Sequence, residues 1–153
     1  MHIKLINKKI HYNSQKVKCA IGKRGVTSNK VEGDNKTPRG SFRIKEIYYR
    51  KDRVKKLKTF IKKIPIKRNM GWCDDSNSKY YNKLIKFPFI YKAEKMFLNN
   101  NTYDILIVID FNMKPIKRKK GSAIFIHIAK KKLSPTKGCI AITKKNMRKI
   151  ISK

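Results

Sequence analysis

The chain has 153 residues, of which 41 are Lys or Arg and 9 are Asp or Glu, for a net charge of +32. Its length fits one domain, residues 1–153, able to bury a core without disulfide or metal, and 40% hydrophobic residues exclude a disordered chain. No apolar run reaches the roughly 18 residues of a membrane-crossing helix, and Cys19, Cys73 and Cys139 lack metal-site spacing.

The basic stretch 1–10 lacks a long apolar segment and a small-residue cleavage site, so it does not read as a signal peptide. Residues 2–6 alternate as a strand, and 17–21 form a second apolar run. Gly22-Lys23-Arg24-Gly25 is a turn that could close a hairpin. Residues 32–40 are a loop by composition, with Glu32 and Asp34 as turn-stabilising residues, and 41–49 form a strand. Between residues 52 and 64, Val54, Leu57, Phe60, Ile61 and Ile64 carry helical spacing, with an extended arm as the alternative given the Lys density and Pro65. Residues 70–82 look irregular, and 99–101 are a turn. Residues 103–111 and 123–128 are buried strands, the second carrying His127. Cys139 opens a short apolar run to Ile142. Thr143 then reads as an N-cap, with Met147, Ile150 and Ile151 on one face of a short closing helix. Many strands and little helix predict a mainly β fold, a sandwich or barrel.

A surface this basic attracts polyanions such as nucleic acid, anionic lipid or acidic wall polymer. The cations occur in every segment, and no nucleic-acid motif accompanies them. Abundant Lys, Ile and Asn is also what an AT-rich coding sequence produces. Charge alone therefore names no partner.

Chemistry concentrates near the C-terminus. A thiol attacks as thiolate, and free Cys has a pKa of about 8.5, so it needs a base or cation nearby. If the strands bearing His127 and Cys139 are neighbours, the imidazole can reach the sulfur. Gly138 would permit close backbone approach, and N–H groups around Gly138 and Cys139 could form an oxyanion hole, each donor worth roughly 3–4 kcal/mol. A lone His and a lone Cys on apolar strands fit core positions equally well.

Ile126-His127, followed by Pro135-Thr136-Lys137-Gly138-Cys139-Ile140, resembles the signature of the L,D-transpeptidase catalytic-domain family. Gly33-Asp34-x-x-Thr37-Pro38-x-Gly40-x-Phe42 is similar to a second block of that family. Gly71-Trp72-Cys73-Asp74-Asp75, Tyr80-Tyr81-Asn82 and Gly121-Ser122-Ala123 look like the branch made of little more than the catalytic domain.

The resemblance implies an L,D-transpeptidase-like β-sandwich with few short helices, and a cysteine acyltransferase of cell wall biogenesis and cell shape. Cys139 would be the nucleophile and His127 the base. Gly138, Lys137 and Thr136 would support the oxyanion and the turn, and Trp72, Asp74 and Tyr81 would contact substrate. The substrates would be peptidoglycan stem peptides, with no cofactor or metal, and the place of action the periplasm or cell envelope, with the cytoplasm as the alternative since no signal peptide is visible. Lys137 stands where many members carry a second His, and Ala141 where many carry Arg or Asn. These departures bear on which peptide is bound. Hydrolysis by the same residues (an L,D-carboxypeptidase) and a non-enzymatic basic module binding wall polymer or nucleic acid are the alternatives.

Overall fold

A computed structural model describes residues 1–130 and 132–152. Strands β1 (His2–Ile6), β2 (Lys9–Tyr12) and β3 (Gln15–Lys18) form an antiparallel meander. Its turns, Asn7-Lys8 and Asn13-Ser14, place four residues at φ values of 40° to 59°, the conformation that lets a two-residue turn follow strand twist. Alternation buries Ile3, Leu5, Ile10, Tyr12 and Val17 and exposes Lys4, Lys9, Lys16 and Lys18. The turn expected at residues 22–25 forms, with Gly25 N–H on the Gly22 carbonyl at 2.8 Å. It closes no hairpin: the chain enters β4 (Val26–Thr27), which pairs in parallel with β5 (Thr37–Pro38).

The ten-residue β6 (Gly40–Tyr49) is the spine, pairing with β1 and, further along, with β7 (Lys63–Pro65). Residues 52–64 are not a helix. Val54 and Leu57 are buried but Phe60 is 96% exposed. Arg50 holds the segment in a turn, receiving Val54 N–H on its carbonyl and gripping Asp52 with two guanidinium hydrogen bonds of 2.8 and 2.6 Å. Residues 70–82, expected to be irregular, begin with β8 (Met70–Cys73). It pairs with β9 (Leu84–Lys86) and β10 (Ala93–Lys95) in a three-stranded sheet. All four β8 residues are buried, so no alternation is visible in sequence. A Cβ on Gly71 would lie 2.6 Å from the Phe87 ring, so only glycine admits this packing.

β11 (Ile105–Ile109), β12 (Phe125–Ile128) and β13 (Ile140–Ile142) complete the large sheet, ordered β13-β12-β11-β6-β1-β2-β3. Ala20, just past β3, and Ala141 exchange backbone hydrogen bonds of 2.8 and 2.9 Å, so the sheet nearly closes into a barrel. β11 reads as an unbroken apolar run because both its faces are covered. Ile105, Ile107 and Ile109 face the barrel interior; Leu106 and Val108 join Tyr48, Trp72, Met96 and Phe125 beneath the small sheet. The closing helix α1 (Lys144–Ile151) is capped as expected, with Thr143 accepting Asn146 N–H at 3.2 Å, and it buries Met147, Ile150 and Ile151. The fold is mainly β, between a barrel and a sandwich. Among the described residues, no helix is long and apolar enough to cross a membrane.

Candidate active site

β12 and β13 run parallel with Ile126 opposite Ile140 and His127 opposite Ala141. Side chains alternate along a strand, so Phe125 and His127 share the face under the small sheet. Cys139, one residue before β13, packs against that same cluster. Its sulfur donates to the Ala123 carbonyl at 3.1 Å and receives the Phe125 N–H at 3.5 Å. The resting group is thus a thiol. Burial pushes its pKa up to about 12, and the Glu94 carboxylate adds to the rise against the pull of Phe125 N–H and Lys30.

His127 is 9% exposed, and its Nδ1 lies 3.0 Å from the Ile128 carbonyl. A carbonyl only accepts, so Nδ1 carries the hydrogen and Nε2 keeps its lone pair. Burial lowers the imidazole pKa, more than the Ile128 carbonyl raises it, with Lys130 lowering it further. At neutral pH His127 is therefore an uncharged base.

The turn before Cys139 is braced by Thr136, whose hydroxyl donates to the Cys139 carbonyl at 2.6 Å and accepts Gly138 N–H at 3.1 Å. With Gly138 N–H so engaged, the neighbouring Cys139 N–H makes no hydrogen bond among the described residues. Gly138 adopts φ 141°, and a Cβ there would sit 3.1 Å from the Lys36 carbonyl. Lys137 is exposed, and its charge bears on Glu94. The cation acting on the thiol is Lys30, buried and paired with Asp34 at 2.5 Å. Asp34 also accepts Val31 N–H at 3.0 Å and Lys36 N–H at 2.9 Å, holding its loop.

Thr37 was not singled out in sequence as a site residue. Its fully buried hydroxyl accepts Gly22 N–H at 2.8 Å and donates to the Gly138 carbonyl at 2.8 Å, so the upstream block supports the turn before Cys139 directly. Trp72 and Tyr81 are buried, 3% and 2% exposed. The Trp72 indole donates to Asn82 Oδ1 at 2.9 Å, and that oxygen also accepts Ala123 N–H at 3.1 Å. Tyr81 donates to Glu32 at 2.5 Å and accepts Gly121 N–H at 2.9 Å, while Ser122 also donates to Glu32. These side chains hold the 121–123 segment whose Ala123 carbonyl meets the sulfur. Asp74 stands at the end of β8, with one carboxylate oxygen 3.2 Å from Lys92. Trp72 also lines, with Arg43, Lys45, Lys83 and Lys114, a cleft of about 700 Å³, and its ring stands edge-on to Phe125 at 5.3 Å.

A family model described as YkuD, the L,D-transpeptidase catalytic domain, matches residues 6–153. No curated protein and no solved structure matches the chain.

Proposed function

The chain belongs to the YkuD family of L,D-transpeptidase catalytic domains, a family of peptidoglycan metabolism, and from that premise we propose that it is a cysteine acyltransferase acting on peptidoglycan stem peptides in the cell envelope. One catalytic domain then carries the whole reaction. The observation that supports this best is a thiol just before β13 and a neutral imidazole on the adjacent β12, both on the side under the small sheet.

Because the thiol is not ionised at rest, proton removal accompanies attack. The Cys139 sulfur adds to the carbonyl between the L-centre of a diamino acid and a terminal D-Ala, while His127 Nε2 takes the thiol proton. Cys139 N–H donates to the developing oxyanion. His127 then gives its proton to the departing D-Ala nitrogen, and a thioester remains. An amine from a second stem attacks that thioester and forms a cross-link. The +32 charge would hold the enzyme on acidic wall polymers.

Incubation with a carbapenem or a muropeptide donor should give a mass adduct on the wild-type protein and none on Cys139→Ala. An adduct that persists in Cys139→Ala overturns the assignment.

A further inference from the structure

In a chain with so few acids, one of them lies near enough for its charge to bear on Cys139. Glu94 lies at the centre of β10, opposite Trp72 of β8, so both face the large sheet. The neighbours on that face are apolar: Trp72 is 3% exposed and Met96 0%. The Tyr103 hydroxyl donates to the Glu94 carboxylate. The Tyr103 ring in turn stands edge-on to His127 at 5.7 Å and to Phe125 at 6.2 Å. The tyrosine that walls the base therefore also anchors the acid.

This placement hinders the first half of the reaction, because the Glu94 charge disfavours the Cys139 thiolate. It suits the second half. Burial, with Asp74 adding to it, raises the Glu94 pKa; Tyr103, Lys137 and Lys92 pull it down. A carboxylate moved up in this way is a better proton acceptor. Asp74 pairs with Lys92 through one oxygen, and its other oxygen is buried with no hydrogen-bond partner among the described residues. That oxygen is an acceptor lacking a donor.

We infer that Glu94 receives the acceptor amine, holding it as an ammonium with Asp74 and taking one of its protons, so that the thioester is resolved by aminolysis in preference to hydrolysis. The inference rests on the Cys139 acyl-enzyme. The ammonium gives one proton to Glu94. The neutral nitrogen attacks the thioester carbonyl, the C–N bond forms and the C–S bond breaks. A second nitrogen proton reaches the departing sulfur through His127, and Glu94 releases its own proton to water. The products are an amide, a free thiol and one proton.

The experiment compares wild type with Glu94→Gln, which keeps the shape and removes the charge, at a fixed concentration of a diamino acid acceptor. The acyl adduct on Cys139 should form at least as fast in Glu94→Gln, because a repelling charge is gone. The ratio of transfer to hydrolysis at neutral pH should fall by about tenfold or more, and residual transfer should climb about tenfold per pH unit as free amine accumulates. Glu94→Asp, which keeps a carboxylate, should recover part of the ratio. An unchanged ratio, or acylation and transfer falling together, overturns the role of Glu94; so does a loss in Glu94→Asp as large as in Glu94→Gln. A wild-type protein that forms no adduct overturns the acyl-enzyme reading itself, and with it this inference.

Discussion

Replacing Thr37 by Val removes one hydroxyl and keeps the shape. That hydroxyl accepts Gly22 N–H and donates to the Gly138 carbonyl, both at 2.8 Å, and the side chain is fully buried. Val supplies neither partner, so a buried N–H and a buried C=O are left unpaired. Each costs about 1–3 kcal/mol, which puts the loss at about 2–6 kcal/mol. Against a typical native stability of about 5–15 kcal/mol this is large. At about 2–4 °C per kcal/mol for a chain of this length, the midpoint should drop by at least about 4 °C. Urea unfolding of wild type, Thr37→Val and Thr37→Ser measures it, since Ser keeps the hydroxyl and should cost only about 1 kcal/mol. Thr37→Val should also acylate slowly, because the Gly138 carbonyl leads directly into Cys139. A Thr37→Val protein as stable as Thr37→Ser would refute the account.

His127→Ala should lose about 10²–10⁴-fold in acylation rate. Its residual rate should rise with pH toward the thiol pKa of about 12; a rate flat from pH 7 to 10 would remove His127 as the base. In the wild type the lowered imidazole pKa keeps the base uncharged below the usual value of about 6.5. Acylation should therefore hold as pH falls through that value and decline only at lower pH, and a decline beginning above it contradicts the burial argument. Gly138→Ala places a Cβ 3.1 Å from the Lys36 carbonyl at φ 141°. It should cost about 1–3 kcal/mol by chemical denaturation and slow adduct formation. Binding to acidic wall polymer should weaken steeply toward about 1 M salt, where charges are screened beyond about 3 Å; retention unaffected by salt in a pull-down would show that charge does not hold it there.

Much of this architecture is written locally. β6, β11, β12 and the Thr143-capped helix follow from alternation, apolar runs and a capping residue, and His127 and Cys139 stand out by residue type and turn context. Other features depend on distant partners. Thr37 meets the Gly138 carbonyl from 101 positions away. Glu94 looks like any acid in a polar stretch until the register of β10 on β8 aims it at the large sheet. Residues 52–64 mislead because Val54 and Leu57 are buried while the equally periodic Phe60 points to solvent. The rising thiol pKa is likewise a product of burial, which no spacing of Cys from Lys reveals.

The Ala20–Ala141 bridge ties the beginning of the chain to the strand that follows Cys139. The chain must be made at least as far as Ala141 before that bridge can close. Until then β13 lacks its second neighbour, and the sheet stays open beside Cys139. An unfinished chain thus carries a thiol of ordinary acidity, with a pKa of about 8.5, and the rise to about 12 arrives only with burial in the finished fold.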